Sequence, residues 1–279
     1  MKKILILILN YKTWEATLDI IEKIHEIPEM NAQCDILVVD NCSGRNVTDA
    51  LKECSTSLDY ILIEAEKNNG YAAGNNIGLR YASEHGYRYA LVINNDIEFK
   101  DHRILEKMLH VFTERNDIAI VSPDVYMPNG YLCNRDLVRP TIFDMTIGVL
   151  QYRNKGRGVA GSATGWYYSY RPQGCCMLLD VPKVQEAGYL DEYTFLYCEE
   201  PILAERLLRY GYRCACCMDT SIVHNHSLTV RTTLSKMTFL KSNLNSFDYY
   251  LKKYRKFNLV QRVWCNLFYV LKLIATKQL

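Results

Sequence analysis

The residues best suited to chemistry in this chain are a carboxylate and two carboxamides that follow a hydrophobic run. Within Tyr89–Ile97, a Tyr-Ala-Leu-Val-Ile segment leads directly into Asn94, Asn95 and Asp96. This pattern predicts a central strand with polar side chains at its C-terminal end. Ligands of open α/β sheets bind beyond the carboxyl ends of the strands, so these oxygens can hold a hard cation and its phosphates. The alternative is that the tripeptide only forms a turn.

Two adjacent acids, Glu199 and Glu200, are the second candidate for chemistry. They follow an aromatic segment that begins at Leu190, and they precede a predicted helix over Pro201–Tyr210 with Pro201 at its first position. A carboxylate can act as a general base, and a neighbouring acid can raise its proton affinity by like-charge repulsion. The alternative is structural, because acids at a helix N-terminus complement the helix dipole.

A third candidate is the segment Lys67–Gly78, which is rich in glycine, alanine and asparagine. Small residues let the backbone approach a ligand, and the N-terminus of a helix predicted over Leu79–His85 favours an anion. Alone, such a loop is a weak signal. Its place one helix before the strand that ends in Asp96 predicts that both face the same crevice.

The elements that must position these residues alternate between strands and helices. Strands are predicted at Ile4–Leu9, Asp35–Val39 and Tyr60–Glu64, and the helices between them imply a parallel sheet with right-handed crossovers. The segment Met127–Arg171 is irregular, as lids and binding loops often are, with a helix predicted over Asp144–Tyr152. The other predicted elements are helices after Thr13 and at Asn46–Cys54, His102–Arg115 and Lys183–Ala187, and strands at Ile118–Ser122, Gly174–Asp180 and Arg213–Met218.

Composition and charge indicate a globular protein with an unusual C-terminal segment. The chain has 279 residues, 49% of them hydrophobic and 23% charged, which excludes a disordered chain. The net charge of +2 hides an asymmetry, because the chain from Arg231 onward holds ten Lys or Arg and one acid, Asp248. This length suits one large domain with a helical appendage.

The eleven cysteines are expected to be reduced thiols. The chain opens with Met-Lys-Lys-Ile-Leu and shows no small-residue cleavage site, so we expect a cytoplasmic protein. Two clusters, one at Cys175 and Cys176 and the other at Cys214, Cys216 and Cys217, lack the paired spacing of a zinc site. We predict that they are buried apolar residues.

Taken together, the order and spacing of these motifs resemble those of family-2 inverting glycosyltransferases of the GT-A fold, of the rhamnosyltransferase-like kind. The resemblance runs from Asn10 to about Ser227, roughly four fifths of the chain. It implies an α/β fold with a Rossmann-like, mostly parallel central sheet flanked by helices and a C-terminal helical extension. The implied catalytic domain is 1–229, with a nucleotide-sugar half at about 1–125 and an acceptor half at about 126–229, and 230–279 is a basic aromatic extension.

The resemblance also implies a nucleotide pocket. Asn10 and Tyr11 would lie beside the nucleotide at the end of the first strand, and Asp40 would contact the base, followed by Asn41. Asn94 and Asn95 are further donor-binding candidates. In the glycine-containing segment the family pattern matches at Asn68, Gly70, Ala72, Gly74, Asn75, Asn76 and Gly78, with Tyr71 in place of Phe and Ala73 in place of Gly.

For the reaction centre, the resemblance makes Asp96 the metal-coordinating residue of a DxD-type site. His224, followed three residues later by Ser227, would lie near the metal or the diphosphate, and His226 competes for that role.

The Glu199-Glu200 pair stands where the family has Glu-Asp or Glu-Glu, and Arg206 and Gly211-Tyr212 fit the pattern that follows. The second acid is the usual base, so Glu200 is the implied base, with Glu199 supporting it. Two departures weaken this transfer of roles. Glu200 is one methylene longer than Asp, and Ile202 replaces a frequent second Asp.

The implied reaction moves a sugar from a nucleotide-diphosphate donor, of UDP or dTDP type, with Mn²⁺ or Mg²⁺ and with inversion. The implied acceptor is a glycan or lipid-linked glycan of a bacterial capsule, O-antigen or cell wall. A sugar-nucleotide nucleotidyltransferase is one alternative, although it should carry a basic glycine-rich loop where Asn10–Thr13 stands. A non-catalytic nucleotide-sugar-binding relative is the other.

The segment 231–279 mixes basic and aromatic residues, as in Phe247–Phe257 and Val263–Ile274. Three interpretations stay open: a peripheral membrane contact on the inner face of the plasma membrane, a homo-oligomer contact, or a helix packed on the catalytic domain. No motif supports nucleic-acid binding.

Overall fold

The computed structural model describes residues 4–133, 136–150, 165–225 and 236–275 of the chain. The strands in these ranges are β1 (Ile4–Asn10), β2 (Cys34–Asp40), β3 (Ile61–Glu64), β4 (Tyr89–Ile93), β5 (Ile97–Phe99), β6 (Ile118–Tyr126), β7 (Trp166–Ser169), β8 (Cys176–Asp180) and β9 (Arg213–His224). The helices are α1 (Trp14–His25), α2 (Pro28–Gln33), α3 (Arg45–Ser55), α4 (Tyr71–Glu84), α5 (Ile104–Glu114), α6 (Ile142–Met145), α7 (Val181–Glu186), α8 (Glu199–Arg209), α9 (Lys236–Tyr249) and α10 (Leu259–Ala275). A 3-10 turn, Ile147–Leu150, follows α6, and a π-helical turn, Tyr250–Tyr254, follows α9.

The described strands form one sheet in the order β3-β2-β1-β4-β8-β6-β9-β5, and β7 also pairs with β9. Strands β1 to β4, β6 and β9 run in one direction, and β5, β7 and β8 run against them. The predicted α/β fold with a mostly parallel sheet is therefore confirmed. The carboxyl ends of β1, β2 and β4 lie side by side at one edge of this sheet, as ligand binding in such folds requires.

Two hydrophobic layers cover the two faces of the sheet. Strand β1 supplies both, because Ile4, Ile6 and Ile8 belong to the layer under α1, α2, α3 and α5, whereas Leu5 and Leu7 belong to the layer under α4, α7 and α8. A strand that is buried on both faces reads as a continuous apolar run, which is why it was recognisable in the sequence. The five clustered cysteines are buried in the core, as predicted: Cys175, Cys176, Cys214, Cys216 and Cys217.

The glycine-containing segment is largely helical, which corrects the prediction of a loop as far as Gly78. Helix α4 begins at Tyr71, well before the predicted Leu79. A Cβ on Gly74 would lie 2.5 Å from Leu9 Cδ1, and one on Gly78 would lie 2.2 Å from Leu7 Cδ1. These two glycines therefore let α4 pack closely on β1.

The described residues between 118 and 225 contain more sheet than predicted. Strand β7 lies inside the segment predicted to be irregular, and β6 and β9 extend past their predicted ends at Ser122 and Met218. Strands β6 and β9 pair along this added length, with a register shift between Pro123 and Asp124. A shift at this point tolerates a proline, which has no N–H to give to the ladder.

Two predicted helices also differ in their bounds. Helix α8 begins at Glu199, so both acids lie in its first turn and Pro201 is not its first residue. The helix predicted over Asp144–Tyr152 is instead α6 followed by the 3-10 turn. Residues 151 and 152 lie outside the described ranges.

The C-terminal extension packs on the α/β part of its own chain through the π-helical turn. Tyr250, Leu251 and Tyr254 are buried in a cluster with Ile202 of α8. Asp191 accepts hydrogen bonds from Tyr249 (2.8 Å), Lys253 (3.1 Å) and Tyr254. Burial alone would raise the pKa of Asp191, but these bonds lower it to about 2. Among the described helices, none combines the length and the apolar character needed to cross a bilayer.

Candidate active site

The ends of β1 and β2 are joined by buried polar side chains. The Nδ2 of Asn10 donates to Asp40 Oδ1 (2.8 Å), and the hydroxyl of Thr48 donates to Asp40 Oδ2 (2.7 Å). Asn10 also accepts a hydrogen bond from Thr17 (2.8 Å). Asn10 and Asp40 are fully buried, whereas Tyr11 is half-buried. The two predicted residues thus fix both strand ends and join them in one polar wall.

Asn41 links this wall to the glycine-containing segment. Its Nδ2 donates to Asn68 Oδ1 (3.0 Å) and to the carbonyl of Gly70 (3.3 Å), and the N–H of Gly70 also donates to Asn68 Oδ1 (2.9 Å). Asn75 lies apart from them, inside α4, where it is buried and donates to the carbonyl of Tyr71 (3.0 Å). Of these predicted residues, the structure brings Asn41, Asn68 and Gly70 together, and Asn75 is not among them.

Gly70 also holds the segment that precedes the acid pair. Its backbone has φ +93° and ψ −176°, a region that is almost exclusive to glycine. A Cβ on Gly70 would lie 2.0 Å from the carbonyl oxygen of Phe195, and that oxygen accepts the N–H of Tyr71 (3.0 Å). The glycine-containing segment and the residues that lead into α8 are thus in direct contact.

We expect Gly70→Ala to destabilise the protein by about 3 kcal/mol or more, because backbone strain adds to the overlap with Phe195. Gly130→Ala is the matched control, since Gly130 also has positive φ (+77°) but has open space around its Cβ. The control is expected to cost only about 1–2 kcal/mol. Urea unfolding of both variants measures the difference. Equal losses would show that the contact with Phe195 contributes nothing.

Asp96 and His224 are neighbours in space. Asp96 lies between β4 and β5, and the pairing of β5 with β9 places Ile97 opposite His224. The distance from His224 Nε2 to Asp96 Oδ1 is 3.0 Å, and that from His224 Nε2 to Asn94 Nδ2 is 3.4 Å. Asn95 turns away and donates to the hydroxyls of Thr13 (2.8 Å) and Thr17 (2.9 Å). His226 and Ser227 lie outside the described residues.

The side chains at Asp96 fit an open divalent metal site. Within the described ranges, no three or more His, Cys, Asp or Glu side chains gather as a ligand group. Asp96 and His224 provide one carboxylate and one imidazole, and their side chains are only 14% and 8% exposed. Ions such as Mn²⁺ and Mg²⁺ commonly take their remaining ligands from substrate phosphates and water. The two residues therefore suit a site that is completed by a phosphate-bearing ligand.

Glu200 is held at the start of α8 in a partly exposed environment. The two preceding residues, Tyr197 and Cys198, have φ values of +74° and +67°, which is strained for side-chain-bearing residues. A Cβ on Gly174 would lie 2.6 Å from Glu200 Oε1, so a side chain at this position would displace the carboxylate of Glu200. Glu200 Oε2 lies 3.7 Å from the guanidinium of Arg171. The carboxylate of Glu200 can accept a proton from a substrate hydroxyl.

Arg171 is itself anchored by a buried acid. Its guanidinium lies 2.7 Å from Asp136, whose side chain is only 2% exposed. Sequence reasoning missed Arg171, Asp136 and Gly174, because they lie in or next to the segment without periodicity. Gly174, directly before Cys175 and Cys176, was the one feature of the sequence that could have pointed to this part of the site.

Glu199 differs from Glu200 in its surroundings. Its side chain is buried, and its Oε1 has no hydrogen-bond partner among the described residues. Burial raises the pKa of Glu199 to about 8, and the charge of Glu200 adds to the rise. Glu199 is therefore mostly protonated at pH 7. The raised pKa thus belongs to Glu199, the acid predicted to support the base.

The two halves of the site meet at Gly174 and Cys175, just before β8. The N–H of Asn94 donates to the carbonyl of Cys175 (3.0 Å), and the hydroxyl of Tyr71 donates to the carbonyl of Gly174 (2.7 Å). Burial raises the pKa of the Cys175 thiol, and nearby charges, including those of Asp96 and Glu200, add to the rise. Asn94, two residues before Asp96, and Glu200 therefore contact the same short segment, although they are far apart in sequence.

Comparison with known proteins identifies related sequences. The profile described as glycosyl transferase family 2 matches residues 5–172. The low-salt glycan biosynthesis hexosyltransferase Agl10 of Haloferax volcanii is 27% identical over 225 residues, which cover 79% of this chain and 66% of that protein. This chain thus spans slightly less than two thirds of the length of that relative.

Solved structures share the fold at low sequence identity. The mannosyltransferase PcManGT from Pyrobaculum calidifontis, in complex with GDP-Man and Mn²⁺, has a TM-score of 0.63 at 13% identity and covers 91% of this chain and 65% of its own. GalNAc-T7 with UDP, GalNAc and Mn²⁺ has a TM-score of 0.66 at 12% identity, with 91% and 49% covered. These likenesses confirm the predicted α/β GT-A architecture.

Proposed function

We propose, from the fact that this chain belongs to glycosyl transferase family 2, that it transfers a sugar from a nucleotide-diphosphate donor to a hydroxyl of a glycan acceptor, with inversion at the anomeric carbon. One observation carries this proposal: Asn94, which lies beside the Asp96–His224 pair, and Glu200 both contact the same segment, Gly174–Cys175. That arrangement puts a site for a phosphate-bound cation beside a candidate base.

The donor is proposed to lie along the carboxyl ends of β1, β2 and β4. Asn10, Asp40 and Asn41 fix the loops that follow β1 and β2, and Asn68 with Gly70 forms the neighbouring wall. A rigid wall of this kind orients a bound nucleotide at little entropic cost. We propose a UDP or dTDP sugar as donor; the two structural neighbours carry GDP-Man or UDP.

Asp96 and His224 are the residues that would hold a divalent ion, with Asn94 beside them. When bound, Mn²⁺ or Mg²⁺ supplies Lewis-acid stabilisation of the charge that develops on the leaving diphosphate. Both structural neighbours contain Mn²⁺, which supports this proposal. A donor whose phosphates were held here would have its anomeric carbon within the same site as Glu200.

Glu200 is proposed to be the general base. Its carboxylate takes the proton of the acceptor hydroxyl while the acceptor oxygen attacks the anomeric carbon. The bond from that carbon to the phosphate oxygen breaks on the opposite face, and the nucleoside diphosphate leaves with the electron pair. The guanidinium of Arg171 lies 3.7 Å from Glu200 and places a positive charge beside the proposed base, while Glu199 is mostly protonated at pH 7 and adds little charge of its own.

We propose that the acceptor is a glycan or lipid-linked glycan of bacterial surface polysaccharide synthesis. The similarity to a glycan-biosynthesis hexosyltransferase supports a glycan acceptor. A lipid-linked acceptor would suit a peripheral membrane contact through 231–279, where basic and aromatic residues are concentrated.

The test is a panel of UDP, dTDP and GDP sugars, screened by thermal shift with and without Mn²⁺ and then by donor hydrolysis without acceptor. We expect one donor class to raise the melting temperature in a Mn²⁺-dependent way and to be hydrolysed slowly. Consumption of a nucleoside triphosphate with a sugar 1-phosphate would instead indicate a nucleotidyltransferase. Donor binding without any turnover, with acceptors present as well, would indicate a non-catalytic relative.

A further inference from the structure

We propose that the outer face of helix α10 binds the surface of an anionic lipid bilayer. This outer face is defined by Val260, Val263, Trp264, Leu267, Leu271 and Ile274. This face is where the proposed enzyme would meet a lipid-linked acceptor, and only the identity of that acceptor depends on the proposed function. The binding itself is a separate physical claim.

The spacing of these six residues places them on one side of the helix. Each of them lies three or four residues from another member of the set, which is the repeat of a single helical face. Their exposures are between 50% and 65%, the highest at Val260 and the lowest at Leu267 and Leu271. Scattered exposed apolar residues are ordinary in soluble proteins, but an unbroken stripe along a whole helix marks an interaction surface.

The opposite side of α10 is fixed to α9, so the outer face is not a packing surface within the described chain. Cys265 and Leu273 are buried. Arg262 Nε donates to Asp248 Oδ1 (2.9 Å), Asn266 donates to the same oxygen (3.0 Å), and Tyr269 donates to Asn243 (2.8 Å). These bonds hold α10 in one orientation and keep the stripe turned outward.

A neighbouring segment widens the apolar surface. Helix α6 and the 3-10 turn after it lie against α10. They carry Phe143 and Ile147, whose side chains are 53% and 68% exposed. Two elements that are far apart in the sequence thus present large apolar side chains in the same region of the protein.

Charge selects a lipid surface over a second copy of the chain. The described extension 236–275 holds eight Lys or Arg and one acid, Asp248, which is already bound by Arg262. Lys241, Lys252 and Lys256 are exposed. Anionic lipids attract such a segment, whereas a symmetric dimer would bring two equally basic surfaces together. Because α10 is not suited to cross a bilayer, it would lie in the interface with its stripe inserted.

The surface lies one packing layer away from the proposed base. Cys265 of α10 packs in the same cluster as Ile202 of α8, and α8 begins with Glu199 and Glu200. A chain that rests on a membrane through α10 would therefore hold α8 close to the lipid surface. This is where the hydroxyl of a lipid-linked glycan would be presented.

The experiment is flotation of the full chain with vesicles of phosphatidylcholine alone or with about 30% phosphatidylglycerol. We expect binding to the anionic vesicles and much weaker binding to the neutral ones, and we expect it to weaken as salt rises from about 0.1 M to about 1 M. The double variant Trp264→Glu with Leu267→Glu should lower binding about tenfold or more, because both side chains lose their apolar contact with lipid. Leu208→Glu, at an exposed leucine of α8, is the matched control and should bind as the wild type does.

Sedimentation of the wild-type chain without lipid and donor hydrolysis by each variant complete the test. Unchanged vesicle binding by the double variant would overturn the proposal. So would a dimer that the double variant dissociates, because the face would then contact a second copy. Donor hydrolysis is expected to be the same in all variants, so a failure of lipid binding with normal hydrolysis would leave the proposed function intact.

Discussion

Replacing Glu200 with Gln is expected to lower the rate of sugar transfer by about 10²- to 10⁴-fold, the usual contribution of a general base. The amide keeps the shape of the side chain that rests on Gly174, but it cannot take a proton from the acceptor. Donor binding should change little, because Glu200 is on the acceptor side of the site. Initial rates at saturating donor, together with donor affinity by thermal shift, measure the two effects separately.

Glu199→Gln is the matched control for this variant. Because Glu199 has a pKa of about 8 and is mostly neutral at pH 7, the amide reproduces its normal state and transfer should be nearly unaffected. A large loss in Glu199→Gln, with retained activity in Glu200→Gln, would exchange the roles of the two acids. If neither variant lost transfer activity, the acid pair would have no role in the reaction.

The Glu199→Gln variant also tests how the stability of the protein depends on pH. The raised pKa of Glu199, about 8 against an ordinary 4.5, means that the folded protein keeps a proton that the unfolded chain has released. The contribution of Glu199 to the free energy of unfolding is therefore fully present below pH 4.5 and is lost as the pH rises toward 8. In Glu199→Gln that loss should be absent. Urea unfolding of both proteins across this range compares the slopes, and parallel slopes would contradict the assignment.

Asp96→Asn is expected to reduce transfer by about 10³-fold or more, since a lost carboxylate removes a charged ligand worth several kcal/mol in the transition state. The amide keeps the size of the side chain but removes its charge. The fold should survive, because the backbone of Asp96 is held independently by the bond from the N–H of Asn225 to its carbonyl (2.9 Å). The Mn²⁺-dependent part of the donor thermal shift should disappear.

The control for Asp96→Asn is Glu98→Gln, two residues further along the same loop and strand. Glu98 is exposed and pairs only with Lys100 among the ion pairs described. Its neutralisation changes the net charge by the same amount, so it separates a local effect at the proposed metal site from a general electrostatic one. If both variants lost activity equally, or if Asp96→Asn kept its Mn²⁺ response, Asp96 would not be a metal ligand.

The sequence by itself determined the elements whose causes are local. Apolar runs such as Ile4–Leu9 and Tyr89–Ile93 mark strands buried on both faces, and the alternation of strands with amphipathic helices fixes the α/β class. The same local patterns marked Asp96, Glu200 and the glycine-containing segment as candidates, because each stands at the end of an element where ligands bind. These inferences need only the order of residues along the chain.

Only the tertiary structure decided which of these residues meet and in what environment. The antiparallel insertion of β8 beside β4 brings Gly174 and Cys175 to the edge that carries Asn94 and Asp96, and β9 brings His224 there from far along the chain. It also decided that Glu199 is buried while Glu200 faces Arg171, although the two acids are adjacent and chemically identical. The physical reason is that burial, proximity of charges and close packing depend on segments distant in sequence, which no local pattern records.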